Sequence, residues 1–397
     1  MAELNYDVAV IGLGAMGAAT LYQLAKRGVN VVGIDRFTPP HDQGSSHGDT
    51  RITRQAVGEG DAYAPLVRRA QQIWRELEAE TGAELFEQCG VLVMTSSKTA
   101  TSHHGTADFT ERTLSQARRY GIEHEQLDAE QIRSRFPQFV PVLDNATGYF
   151  EPGGGYVRPE RCIDTQLRLA QQLGATLLTG VTVSQLDSSA DSVTLIADGQ
   201  TLRAKNVIVC AGMWSAELLG APFDTLLRVC RQKLYWFELA QPSIFPVPSP
   251  TFILAHGPTD EDLCYGFPPL PGENCVKIAT EHYATSTTPA QLNRDVSAEE
   301  CAQMFASQLL GKIAGVLPKA VKTAVCSYTV TQDFNFIIDQ HPSHPAVTVV
   351  SACSGHGFKH SAAIGEALAQ RLVAGQSELD LSAFTVARFQ AAVKPLP

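Results

Sequence analysis

The start of the chain leaves little choice of fold. "YDVAVIGLG" is an apolar run that stops at Gly12, "AMGAATLYQLAKRG" continues with small residues and then one apolar helical face, and "VNVVGID" is a second apolar run closing on Asp35. Strand, helix and strand in that order, with a short break at Gly28, predict a βαβ unit and therefore a parallel sheet. Gly12, Gly14 and Gly17 form G-x-G-x-x-G at the first strand–helix junction. Such glycines serve a tight turn, close backbone approach to a pyrophosphate, and close helix–strand packing. The helix N-terminus offers unpaired N–H groups to phosphates. Asp35 stands where an acid hydrogen-bonds a ribose hydroxyl, which favours FAD or NAD over NADP.

The remaining chain predicts a second unit. Residues 60–82 read as an amphipathic helix with Leu66, Ile73, Trp74 and Leu77 on its apolar side, and "YVRPERCIDTQLRLAQQLGAT" as another, ended by Gly174. "VTVSQLD", "SVTLIAD" and "NVIVCAG" read as strands, with a turn at Asp198-Gly199. From about 218 to 320 the chain is rich in proline and aromatics, and it then returns to strand-like "TVVSACSG" and helical "HSAAIGEALAQRLVAG". The expected class is α/β: a Rossmann-like FAD-binding domain of discontinuous segments plus an α+β substrate domain with a mixed antiparallel sheet. The first takes residues 1–85, 150–217 and 321–397, and the second 86–149 and 218–320. The Ala-Gly ending of "NVIVCAG" and the meander before it favour FAD over NAD by fold analogy.

Composition excludes other classes. A formal charge of −10 without a Lys/Arg cluster argues against a nucleic-acid partner. Nine cysteines without a Cys-x-x-Cys pair fit neither a disulfide framework nor a zinc site, so no metal is expected and a reducing compartment is. The acidic N-terminus and its short apolar run suggest no export signal and no membrane partner, and "AAVKPLP" is not a peroxisomal address. The expected location is cytoplasmic. Cys326, alone between apolar residues, reads from its own neighbourhood as a core cysteine.

Longer motifs give a specific resemblance. "PPHDQGSSHGDTRITRQAVGEGDAYAPLVRRAQQIW" (39–74), "YGFP" and "VKIA" within 265–279, "AVCSYT" and "FIID" within 324–339, and "SGHGFK" (354–359) occur in order along the chain. The set strongly resembles the monomeric sarcosine oxidase and N-methyltryptophan oxidase family. The resemblance implies an FAD-dependent oxidase of a secondary (N-methyl) α-amino acid such as sarcosine. Its partners are the amine and O2, its products an imine, hydrolysed to aldehyde plus amine, and H2O2, and it acts as a monomer.

Residue by residue, Cys326 matches the cysteine bonded through sulfur to the flavin 8α-methyl; a thiolate is the attacking species. Lys277 matches the lysine over flavin N5, whose charge stabilises superoxide. His47, Thr50 and Arg51 match residues around the flavin ring, where a cation offsets the charge of reduced flavin. Arg54 and Lys359 match the substrate carboxylate clamp, with guanidinium fork and ammonium point charge. Tyr265 and Tyr328 match aromatics of the substrate cage. The helix opened by "SGHGFK" can aim its first N–H groups at the flavin C2 carbonyl. The expected cofactor contacts are Gly12, Gly14, Met16, Gly17, Asp35, Arg36, Ser45, Thr50, Arg51, Val183, Gly212, Cys326, Gly355, Gly357, Phe358 and Lys359.

Three departures bear on substrate. The family's tyrosine is Val57, which removes bulk and a hydroxyl near the clamp. One histidine of the "GSHHGD" run is Ser46. The histidine four places past the lysine is Glu281, with His282 next to it, and a carboxylate in the cage would favour a substrate with an extra positive group. An N-methyltryptophan, pipecolate or other bulky or cyclic amine oxidase is the alternative within the family. An NAD-dependent dehydrogenase and a flavin-binding protein without turnover are the alternatives outside it.

Overall fold

The computed structural model describes residues 4–95, 109–189, 192–257 and 259–390. Residues 96–108 of the expected second domain, residues 1–3 of the N-terminal run and the C-terminal run 391–397 read above for targeting lie outside these. The strand Leu4–Ile11 pairs in parallel with Val31–Asp35 on one edge and with Gln200–Val209 on the other. Val31–Asp35 continues in parallel to Thr176–Thr179. On the far side, Gln200–Val209 is shared between two partners: its first half closes a meander with Val193–Ala197, and its second half runs parallel to His344–Ser351. Every residue of Val31–Asp35 is buried, as a parallel strand covered on both faces requires.

The helices Ala15–Lys26, Tyr63–Thr81, Pro159–Gln172 and Ser361–Ala374 pack together against this sheet, around Leu21, Leu66, Trp74, Ile163 and Ile364. Gly365 allows the closest of these approaches, since a Cβ there would lie 2.5 Å from the backbone of Ala19.

The second sheet is mixed. Arg228–Leu239 sits between Val316–Val330 and Cys275–Thr280, both antiparallel to it, and the sheet continues through Leu263–Phe267 and Thr251–Ala255 to a parallel neighbour, Val91–Thr95. Strand alternation divides its faces. Tyr235, Phe237, Val276 and Ile278 face a core with Ile132, Phe139 and Met304, whereas Leu234, Trp236, Ala279, Cys326 and Tyr328 share the opposite side. A small third sheet joins Arg51–Thr53, Gly155–Val157 and Phe86–Glu87.

The divisions expected at 149/150 and 320/321 fall inside the strands Thr147–Glu151 and Val316–Val330, each of which belongs to the second sheet. Hydrogen bonding to Arg228–Leu239 along the latter carries Cys326 and Tyr328 on the second sheet. Among the described residues no helix is long and apolar enough to cross a membrane.

Candidate active site

One cavity of about 440 Å3 runs between the two sheets. Its nucleotide end is built by the first βαβ unit. Gly12 has φ +85°, a Cβ on it would lie 2.5 Å from the Cys210 carbonyl oxygen, and one on Gly17 would lie 1.8 Å from that of Gly12. The bare backbone left there suits the pyrophosphate of a dinucleotide. Asp35 fixes this turn: its Oδ2 accepts from Leu13 N at 2.7 Å and its Oδ1 from Phe37 N at 2.8 Å. Asp35, Arg36, Val183 and Gly212 line this end, with Arg36 stacked 5.4 Å from Trp214. Gly12, Gly14, Met16 and Ser45 line the middle, and Gly355, Gly357 and Phe358 form a wall opposite. A Cβ on Gly357 would lie 1.7 Å from the Ala352 carbonyl oxygen, so that wall also presents bare backbone. A dinucleotide carrying a flat ring fits this lining.

The segment from Ser45 to Arg51 is pinned from several sides. Ser45 Oγ donates to the Ser327 carbonyl at 2.5 Å. Glu160 Oε1 accepts from Gly48 N at 2.5 Å and Asp49 N at 3.2 Å. Lys277 Nζ donates to Gly48 O at 2.5 Å, Thr50 O at 2.8 Å and Thr50 Oγ1 at 3.1 Å. The turn is left-handed, with φ 95° at Gly48 and 70° at Asp49. It delivers Arg51 to the cavity, where Nη2 donates to Ser45 O at 2.9 Å.

Charge in this region is divided unequally. Burial lowers the affinity of Arg51 for its proton, but Cys326, Tyr265, Tyr328 and Glu160 more than offset that, so its pKa rises. Burial, reinforced by Arg51, pushes His47 down to about 4. His47 is therefore neutral at pH 7, and the cation at this end of the cavity is Arg51. Burial and then Arg51 push Lys277 well down, against two carbonyl oxygens and a hydroxyl oxygen around its Nζ that favour the ammonium.

Arg54 and Lys359 come together through a third residue. Glu59 Oε2 lies 3.1 Å from Arg54 Nη2, and Glu59 Oε1 lies 3.6 Å from Lys359 Nζ. Arg54 also donates to the Ala56 carbonyl and lies 5.0 Å over the Phe109 ring. Lys359 Nζ donates to His356 O at 2.8 Å. The buried Glu151 holds the turn after Arg54, accepting from Gln55 N at 2.6 Å, Ala56 N at 3.1 Å and Tyr149 Oη at 2.8 Å. Burial, followed by an opposing pull from Glu59 and a push from Arg54, brings Lys359 down to about 8. Nearby, the hydroxyls of Tyr265 and Tyr328 are 3.2 Å apart.

Of the residues expected from sequence, Arg51, Arg54, Lys359, Tyr265 and Tyr328 line the cavity together with the nucleotide-end set named above. Gly17, His47, Thr50, Lys277 and Cys326 do not line it; they stand behind it. Cys326 is 1% exposed and shares its strand face with Tyr328. Burial raises its thiol pKa and Arg51 opposes the rise. Two different thiols do line the cavity, Cys210 beside the Gly12 turn and Cys353 next to the Gly355–Phe358 wall.

The departures also separate. Ser46 and Glu281 line the cavity, whereas Val57 is buried in the helical core with Tyr63 and Trp74, so its small size leaves no extra room at the clamp. His282 is turned aside, its N bonded to Gln232 Oε1 at 3.0 Å and its Nε2 3.0 Å from Thr280 Oγ1. Glu59, Glu151, Glu160 and Cys353 were not singled out from sequence. Only Glu59 carried a signal there, being inside the "GEGD" run that follows Arg54.

Comparison with known proteins gives the family. Residues 7–371 match the FAD dependent oxidoreductase family. The chain is 36% identical over 390 residues to a monomeric sarcosine oxidase of Bacillus sp. (strain NS-129), covering 97% of each chain. It is 35% identical to an N-methyl-L-tryptophan oxidase of Yersinia pestis (strain Pestoides F), covering 98% of this chain and 100% of that one. Its fold matches the open form of NikD, an unusual amino acid oxidase essential for nikkomycin biosynthesis, with a TM-score of 0.83 at 24% identity, over 96% of this chain and 97% of that one. The chain belongs to the FAD-dependent oxidoreductase family, among the flavoprotein oxidases acting on CH–NH bonds that include the sarcosine and N-methyltryptophan oxidases.

Proposed function

We propose that the protein oxidises a secondary α-amino acid, with sarcosine as the reference substrate, at a C–H bond next to nitrogen. The observation that carries this reading is the buried pair Arg54 and Lys359, bridged by a carboxylate at the end of the cavity away from the nucleotide turn. What FAD supplies when bound is two-electron chemistry: a hydride equivalent leaves the substrate, O2 takes both electrons to give H2O2, and water hydrolyses the imine.

The chain's own residues do the rest. Arg54 and Lys359 exchange the Glu59 carboxylate for that of the substrate, fixing which C–H bond faces the ring. The Tyr265–Tyr328 pair walls the reacting end and limits water there. Arg51 places a permanent cation where negative charge accumulates, and Lys277 stands behind the same loop as a second one. Cys326 is the residue assigned to covalent attachment of the flavin through its sulfur. The protein is taken to act as a monomer, in a cytoplasm that suits its nine free thiols.

O2 uptake and H2O2 release with sarcosine, N-methyltryptophan, pipecolate and other N-methyl amino acids is the direct test. Uptake with at least one of them and no requirement for added NAD is the expected result. Absence of uptake across the panel overturns the reading.

The clamp gives a pH dependence with a definite sign. Lys359 is charged below about 8 and loses its proton above it, so affinity for a carboxylate ligand falls as pH rises through about 8. Propionate, which lacks an amine, isolates this term in a titration of the holoprotein's absorbance. Affinity should level off at high pH at the value Arg54 alone supports, and Lys359→Arg should remove the limb. A limb that persists in that variant belongs to another group.

A further inference from the structure

We propose that Glu281 is the specificity determinant for a second cationic group, so that the preferred substrates are secondary amino acids with basic side chains. This rests on the oxidase reading above and names the substrate class within it. Glu281 follows the strand Cys275–Thr280 and lines the cavity near Tyr265, Tyr328 and Lys359. Tyr283 Oη donates to its Oε2 at 2.9 Å, and Tyr283 is itself packed edge-on against Phe334 at 4.7 Å between ring centres. The carboxylate is thus held in place before a ligand arrives. Its field is felt at Lys359, so a ligand seated on Lys359 lies within its reach.

Two groups on a substrate could meet this carboxylate: the reacting amine or a cation elsewhere on the molecule. The reacting nitrogen has to be neutral, because its lone pair forms the C=N bond as hydride leaves. A carboxylate paired with that nitrogen would favour its protonated form and oppose the step. A carboxylate paired with a distal ammonium or guanidinium carries no such penalty. The same cavity offers apolar surface for a methylene stem, since Ile52, Ile253 and Leu263 line it. With the substrate carboxylate on Arg54 and Lys359 and its distal cation on Glu281, opposite charges meet at both ends.

The test uses matched pairs. The holoprotein is assayed with Nα-methyl-L-lysine against Nα-methyl-L-2-aminoheptanoate, and with Nα-methyl-L-ornithine against Nα-methyl-L-norleucine. In each pair a distal ammonium replaces a methyl group at similar length. In at least one pair kcat/KM should favour the cationic member by about tenfold or more, the size expected for a charge-assisted hydrogen bond. Glu281→Gln should bring that ratio close to one, and Glu281→His, which restores the family pattern at this position, should do the same.

A ratio near one in the unmodified protein overturns the proposal. So does a ratio that survives Glu281→Gln while both members slow equally, since that outcome places Glu281 at the reacting amine or in the scaffold. If no amine is oxidised, the oxidase reading fails separately, and thermal stabilisation of the holoprotein by L-lysine against L-2-aminoheptanoate then decides. Greater stabilisation by lysine that Glu281→Gln abolishes supports the cation site, and equal stabilisation overturns it.

Discussion

Lys277→Met is expected to slow reoxidation of the reduced holoprotein by O2 by about 10²–10³-fold, the cost of removing one buried electrostatic stabiliser. Anaerobic reduction by substrate should change far less. Methionine keeps the stem that runs beside Phe267 and Trp236, so the packing around the ammonium is largely retained. What disappears is a charge and three N–H donors to Gly48 and Thr50. The orphaned oxygens should lower stability by about 1–3 kcal/mol. Stopped-flow measurement of the two half-reactions separates the roles. Glu160→Gln is the control, because Glu160 holds the same turn by its N–H groups and brings no positive charge. It should slow both halves alike. If Lys277→Met behaves as Glu160→Gln does, the lysine acts only by shaping the turn that carries Arg51.

Cys326→Ser should convert a yellow acid-precipitated pellet into a white one, with the flavin recovered in the supernatant. A hydroxyl is too weak a nucleophile to attack the 8α position, whereas Arg51 and Lys277 lean the Cys326 thiol toward thiolate against the opposing effect of burial. The serine hydroxyl enters an apolar environment with Leu234 and Trp236 and should cost about 1–3 kcal/mol, leaving the fold intact. Cys353→Ser is the decisive companion, because Cys353 lines the cavity and Cys326 stands behind it. A pellet that stays yellow in Cys353→Ser and turns white in Cys326→Ser supports attachment at Cys326. The reverse moves it to Cys353, and white pellets from the unmodified protein remove covalent attachment altogether.

The nucleotide end was legible because its signals are local: closely spaced glycines, a buried-strand run and a terminal acid all bear on one turn. The pairing of Arg54 with Lys359 across the cavity, proposed above as a clamp, could be read only through motif order, since the two lie far apart in sequence and neither has a local pattern that marks it. Glu151 and Glu160 illustrate what was hidden. Each is a single acid of a kind usually solvated, and each serves by accepting backbone N–H groups from a loop distant in sequence. No periodicity records such a bond. The sheet to which Cys326 belongs was hidden for a related reason, because strand partners are set by hydrogen bonding across the chain. Val57 failed differently: the family pattern put a tyrosine near the clamp at this position, but here Val57 packs into the helical core.

Glu59 has a consequence for how ligands compete. A carboxylate tethered between Arg54 and Lys359 is a resident occupant, so in the clamp proposed above substrate binding is an exchange and not the filling of a vacancy. The measured affinity is then a ratio: intrinsic attraction for the incoming anion divided by the local concentration of the tethered one, which for short tethers is on the order of millimolar or more. Formate or acetate should win this contest poorly, because each offers only what Glu59 already supplies. A ligand that also engages the tyrosines or the far wall brings attractions for which the occupant has no answer. An amine without a carboxylate leaves the occupant seated and avoids the contest.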